Sequence, residues 1–171
     1  MLRDVLSRRL EKRLHDMAPE DAAREREEAE NAIEAEISRL VSAGIIDDAR
    51  FAEMKARSGL SRGQGTRRIL QDLVRKGVSS DVAEEAMKEA RRETTGTLGR
   101  DTSDEDVAEA AEWEAAETFA RKKRIGPYRE ADSPESFAER HKLWTREAGK
   151  MARAGFDFEL IRQILDREPE E

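Results

Sequence analysis

Seven lysines and arginines fall between Lys55 and Lys76, and the one acid among them is Asp72. In a chain of formal net charge −7, such segregation marks a face that meets a polyanion or an acidic protein. Arg57, Arg62, Arg67, Arg68, Arg75 and Lys76 make up the candidate binding set. Arg68 and Arg75 are seven residues apart, which puts them on nearly one face of a helix. A second run, Arg121-Lys122-Lys123-Arg124, has no acid within it. The bland alternative is solvated surface in a charge-rich protein. The local lack of acids, where acids abound elsewhere, favours binding. No helix carries Asn, Gln and Arg at its N-terminal end in the manner that reads base edges.

Other chemistries fare worse. The two histidines, His15 and His141, have no second histidine or carboxylate at ligand spacing, so packed or rim positions are expected rather than a metal or a general base. The acidic run from Glu20 to Glu36 lacks the order of a calcium loop and reads as the solvated face of a helix. Asp47 and Asp48 are adjacent and so do not share a helix face; they are expected to cap the helix that follows. Gly63-Gln64-Gly65 precedes a helix, as phosphate loops do, but without the preceding strand or the Gly-Lys-Ser/Thr that would follow. It is read as a turn that leaves helix N–H groups open to a phosphate or carboxylate. There is no cysteine, which excludes disulfides and thiolate zinc sites. No catalytic residues, metal or cofactor are expected, and the chain is not read as an enzyme.

The elements that must position the cations are helices. Of the 171 residues, 42% are charged and 5% aromatic, so any core is thin, yet apolar residues recur at helical spacing. Leu6, Leu10, Leu14 and Met17 form one stripe, ended near Pro19. Ala29, Ile33, Ile37, Leu40 and Val41 form the next, ended at Gly44. Short helices follow around Phe51, Ala52 and Met54, from Thr66 to Lys76, and after Ser80 or Asp81. Arg92 to Asp106 reads as a linker. Val107 to Arg124 is helical with two apolar stripes, which predicts cover on two sides. Ser133-Pro134-Glu135 reads as the next start, followed by Phe137, His141, Trp144, Ala148 and Met151. Asp157 opens a last helix with Leu160, Ile161, Ile164 and Leu165 inside. Nothing alternates as a strand would. No apolar run approaches a membrane span and no signal core opens the chain, so a cytoplasmic placement is expected; a monomer is expected as well.

Leu73-Val-Arg-Lys-Gly77-Val78 and Met151-Ala-Arg-Ala-Gly155-Phe156 repeat one unit, and Leu40 to Ile45 matches its first half. Repetition of helix–Gly–helix predicts a stacked helical array. Gly77 and Gly155 are expected at positive φ. Two apolar clusters are expected, one joining Ile33, Ile37, Leu40, Phe51, Ile69, Leu73 and Val82, the other Phe119, Trp144, Met151, Leu160 and Ile164.

Three blocks occur in order: Gly44-Ile-Ile-Asp-Asp-Ala-Arg-Phe-Ala52, Arg62-Gly-Gln-Gly-Thr-Arg-Arg-Ile69 and Leu73-Val-Arg-Lys-Gly-Val-Ser79, with Ala86 beyond. Together they resemble the RecX family of recombination regulators. Phe119 to Tyr128 and Met151 to Phe156 look like that family's last repeat. The segment before residue 33 departs from the pattern: it has no Lys/Arg-Gly turn, and its acidic helix is unusual. The resemblance implies an all-α protein of tandem three-helix repeats forming an elongated, curved helical array. Its expected divisions are an abbreviated first repeat with the acidic helix at 1–46, a second repeat at 47–92, a linker at 93–106 and a third repeat at 107–171. It also implies binding to the RecA filament on single-stranded DNA and inhibition of RecA's recombinase, ATPase and coprotease activities, without catalytic residues or cofactor. The competing reading is a helical regulator that acts directly on the DNA phosphate backbone through the basic strip.

Overall fold

The structure, a computed structural model, describes residues 2–96, 102–129, 134 and 136–167. The described residues form eight α-helices and one 3-10 turn, without a strand. The helices are α1 (Leu2–Leu14), α2 (Pro19–Ser42), α3 (Asp48–Ser61), α4 (Thr66–Arg75), α5 (Ser80–Thr94), α6 (Asp104–Lys123), α7 (Phe137–Ala154) and α8 (Phe158–Leu165). The 3-10 turn is Gly126–Tyr128.

The repeat seen in sequence is a way of ending a helix. At the ends of α2, α3, α4, α6 and α7 one N–H reaches back five residues and the N–H before it reaches back three. These pairs are Ile45 to Leu40, Gln64 to Gly59, Val78 to Leu73, Ile125 to Ala120 and Phe156 to Met151. This is the Schellman arrangement, and its pivot is a left-handed residue that is usually glycine. Gly44, Gly63, Gly77 and Gly155 serve at four ends, with φ of +66, +78, +89 and +104°. At the fifth the pivot is Arg124, with φ +52°.

The chain divides into two units, Met1–Asp48 and Ala49–Glu171. In the first, α1 and α2 form a hairpin. Leu10 and Leu14 are buried, while α2 buries no residue fully. Ion pairs join Arg3 to Glu34, Glu11 to Arg26 (2.8 Å) and Arg13 to Glu25 (2.8 Å). Partners on α2 fall in number as those on α1 rise, so the two helices are antiparallel. Ala29, Ile33, Ile37 and Leu40 are half-buried on one stripe, as their spacing predicts, but Met17 and Val41 are exposed.

In the second unit one apolar cluster runs through α3 to α8, and Leu73 and Ile164 belong to the same core. The expectation of separate clusters is therefore corrected. The reason lies in α6, whose buried residues are Val107, Ala111, Ala115, Ala116 and Ala120. Alanines on both sides let it pack against α5 and against α8, which is the two-sided cover its stripes predict. Phe119 and Phe156 meet edge to face at 5.8 Å. The chain also touches itself backbone to backbone. The Gly65 N–H donates to the Ala154 carbonyl at 3.0 Å. A Cβ at Gly65 would lie 2.6 Å from the Gly155 carbonyl carbon, and one at Gly155 would lie 2.7 Å from the Arg68 nitrogen. Only glycines admit that approach.

Several boundaries move. Helix α5 continues to Thr94 and α6 begins at Asp104 under a Ser103 cap, so helical residues enter both ends of the stretch read as a linker; residues 97–101 lie outside the described ones. The cap of α5 is Ser79. Helix α7 starts at Phe137 after Ser136, with Pro134 not yet helical, while Ser133 and Glu135 lie outside the described residues. Met54, Val74 and Phe137 are exposed rather than inward. Asp157 caps α8, accepting from the Leu160 N–H at 2.9 Å.

Candidate polyanion-binding face

The second unit gathers part of the basic set and disperses the rest. Arg57 turns away from the strip: its guanidinium donates to both oxygens of Glu93 on α5, at 2.8 and 2.9 Å. Arg68 and Arg75 flank Asp72, at 3.2 and 2.6 Å, each taking one of its oxygens. That is the helical i±3/i±4 relation, and it leaves the three side chains with one net positive charge. Arg67 is exposed and donates to the Ala152 carbonyl at 3.3 Å. Arg121 pairs with Glu117 at 3.5 Å and lies over the Tyr128 ring at 4.9 Å. Arg124 is exposed and holds the left-handed end of α6.

The remaining cations come together. Lys122, at the end of α6, donates to the Ser61 carbonyl at 3.2 Å. The second basic run thereby reaches the turn that carries Arg62. Close packing makes this possible, since a Cβ at Gly63 would lie 2.7 Å from the Phe119 nitrogen. Between α3 and α4 lies a cavity of about 160 Å³ lined in part by Lys55, Ser58, Arg62, Gln64, Asp72 and Lys76. Lys55, Arg62 and Lys76 form no ion pair with a described residue. Lys123 is likewise exposed and unpaired among them.

Lys55 was missed because two-residue spacing from Arg57 hides which face it takes. On α3 the two point apart: Arg57 reaches Glu93 on α5, while Lys55 lines the α3–α4 cavity with its Nζ 5.8 Å from the Phe51 ring centre. A further signal was also overlooked. Helix α7 carries Arg140, Lys142, Arg146, Lys150 and Arg153 against Glu139 and a buried Glu147, a bias that counting would have found.

The helix N–H groups that the Gly63-Gln64-Gly65 turn was expected to leave open, at the start of α4, are not open to an outside anion. The Glu112 carboxylate from α6 accepts from the Thr66 N–H at 3.0 and 3.1 Å and from the Thr66 hydroxyl. Arg91 donates to the same hydroxyl at 3.1 Å. The positive end of α4 is thus capped by the chain's own carboxylate. Glu147 was not expected to be inside. It is 3% exposed, accepts from the Gly126 N–H at 3.1 Å and pairs with Arg129 at 2.8 Å. Glu117 gathers Arg167, Tyr128 and Arg121. Burial pushes its carboxyl up, but the hydrogen bonds from Arg167 and Tyr128 and the charges of Arg167 and Arg121 outweigh this and hold it below the usual range. No group of three His, Asp or Glu able to hold a metal occurs among the described residues. His141 is exposed and stacks on Phe137 at 6.4 Å between ring centres. No helix among the described residues is long and apolar enough to cross a membrane.

Residues 47–87 match the family model described as "RecX, second three-helix domain". The chain is 36% identical over 145 residues to "Regulatory protein RecX" of Myxococcus xanthus, an alignment covering 85% of this chain and 66% of the relative. It is 28% identical over 172 residues to the Agrobacterium fabrum protein of the same name (99% and 74%) and 32% over 130 residues to that of Chromohalobacter salexigens (75% and 66%). The chain thus spans about two thirds of the length of the first of these relatives. No solved structure matches it.

Proposed function

The chain belongs to the RecX family, and from that premise we propose that it is a regulator that binds the RecA–DNA filament and inhibits RecA's recombinase, ATPase and coprotease activities. In this reading the three-helix groups are scaffold, and the second and third repeats present one basic face. The observation that carries it is the meeting of the two basic runs at the α3–α4 turn. Lys122 is bonded to Ser61 there, beside Arg62, and Lys55 and Lys76 lack acidic partners in a chain of net charge −7. Arg67, Lys123 and Arg124 extend the face. Arg57, Arg68, Arg75 and Arg121 contribute less, since each already has an acid beside it.

The test is RecA-driven strand exchange with the triple reversal Arg62→Glu, Lys76→Glu and Lys122→Glu. Inhibition is expected to need far more protein, with helicity unchanged. The control reverses Glu27, Glu28 and Glu30, which lie exposed on α2, and should be nearly silent. A triple variant that inhibits at wild-type concentration would refute the assignment of this face.

The unpaired cations also favour a second reading, direct binding of the DNA backbone. Three phosphate contacts on a single strand would give a log–log salt slope of about −2 and would need no RecA. Capture on bare single-stranded DNA, equal to that on RecA-coated DNA, would decide for it.

A further inference from the structure

We propose that the cavity between α3 and α4 is a seat for one phosphoryl group, held by Lys55, Arg62 and Lys76. Its wall is built rather than accidental. Gly59 forms one side, where a Cβ would lie 2.6 Å from Ile69 Cδ1 and 3.1 Å from the Gln64 side-chain oxygen. The glycine therefore lets the Gln64 amide fold in over α3. Ser58 brings a hydroxyl from the same helix. Neither the Ser58 hydroxyl nor the Gln64 amide bonds to another described side chain.

The charge balance favours an anion. Asp72 is the one acid of the lining, and Arg68 and Arg75 already hold its two oxygens. Lys55, Arg62 and Lys76 are left uncompensated. Lys76 is half-buried and has no ion-pair partner among the described residues, which leaves its charge open to an anion. Its position at the C-terminal cap of α4, where the helix dipole is negative, offsets only part of that charge.

Shape selects the chemistry. The cations come from three elements: Lys55 from α3, where Ser58 lies beside it, Arg62 from the turn, and Lys76 from the end of α4. A tetrahedral phosphoryl group offers oxygens to all three, whereas a carboxylate offers two in one plane. Two of the three cations are lysines, which bind phosphate as point charges, rather than the arginine fork that matches a carboxylate. The volume, about 160 Å³, is below the roughly 300–1,000 Å³ of pockets that enclose whole small molecules, so the seat takes one group. That group is an internal phosphodiester of a nucleic-acid strand or a free or terminal phosphate. The inference holds whether or not the partner is a RecA filament.

The experiment is an amide NMR titration of the full chain at constant ionic strength, with inorganic phosphate, dimethyl phosphate and acetate as parallel probes. Saturable shifts at Ser58, Gln64 and Lys76 are expected with inorganic phosphate. Lys76→Met and Arg62→Met should each weaken that binding about tenfold or more, and Lys123→Met should leave it unchanged. Equal binding of dimethyl phosphate would assign the seat to a strand's backbone, and its exclusion to a free or terminal phosphate; either supports the seat. Acetate moving the same signals with the same affinity, or unchanged phosphate affinity in both Met variants, would overturn it. Strand-exchange inhibition measured on the same variants separates the two ideas, because loss of inhibition without loss of phosphate affinity leaves the regulator standing and removes the seat.

Discussion

Replacing Gly65 by alanine tests the contact that unites the second unit. Gly65 sits at φ −69° and ψ 150°, where alanine is comfortable, so backbone strain plays no part. Stiffening the unfolded chain would by itself stabilise by about 0.4–1 kcal/mol. The new Cβ, however, would meet the Gly155 carbonyl carbon at 2.6 Å, its oxygen at 2.8 Å and the Phe156 nitrogen at 2.9 Å. All three are backbone and no rotamer relieves them. The α7–α8 turn must retreat by about 0.8 Å to regain the 3.4 Å of ordinary contact. Overpacking of this kind costs about 1–3 kcal/mol. The retreat also stretches the 3.0 Å bond from the Gly65 N–H to Ala154, worth about 0.5–1.5 kcal/mol. The net loss is about 2 kcal/mol, a fall in Tm of roughly 6–12 °C for a unit of this size. Thermal unfolding by circular dichroism reads it. The matched control is Gly149→Ala, in the interior of α7, where a Cβ meets only an Arg153 guanidinium nitrogen at 3.5 Å; it should gain about 0.5–1 kcal/mol. If Gly65→Ala melted with the wild type while Gly149→Ala behaved as stated, the two turns would not be in contact.

Four further outcomes are expected. Arg124→Gly should raise stability by up to about 1 kcal/mol, since it removes the left-handed penalty at φ +52°; a lower Tm in thermal melts would count against the assigned end of α6. Glu147→Ala strips the Gly126 N–H and Arg129 of a buried partner, and chemical denaturation should show a loss of about 2–3 kcal/mol, below the usual range for a buried pair because Arg129 is partly solvated. Glu112→Ala uncaps α4 and should cost about 1 kcal/mol, with faster amide exchange at Thr66 as the local readout. The Glu117 carboxyl is depressed in the folded state, so its contribution is present above the unfolded carboxylate pKa and is lost as pH falls through the lower folded value. Arg167→Met should therefore flatten the acid side of the stability–pH profile, and an unchanged acid limb would dismiss the cluster.

Much of this was legible in sequence because it is local. The apolar stripes placed the helices, and the unit ending in Gly77 or Gly155 announced the left-handed turns. The sequence could not say what each cation faces. Arg57 and Arg62 look alike in a basic run, yet one finds Glu93, thirty-six residues on, and the other finds no acid. The Gly63-Gln64-Gly65 turn reads as a vacant anion site until Glu112 arrives from a helix far along the chain. The merging of two apolar clusters into one follows from alanines on both faces of α6, a pattern whose two-sidedness is visible but whose partners are not.

The contact between Gly65 and Gly155 also bears on how the chain becomes folded. Its two ends are ninety residues apart, and pairings that distant form late, after the loop between them is closed. On a ribosome, α3, α4 and α5 can coil as they emerge, but the carbonyl that receives the Gly65 N–H belongs to Ala154. Until that residue is made, the α3–α4 turn can rest on α6 alone, and α6 lacks its cover from α8. A fragment cut after α5 holds a complete three-helix motif and still lacks half of its core. The core that a cooperative transition would bury therefore belongs to the span from Ala49 to α8, and the shorter motif holds only part of it.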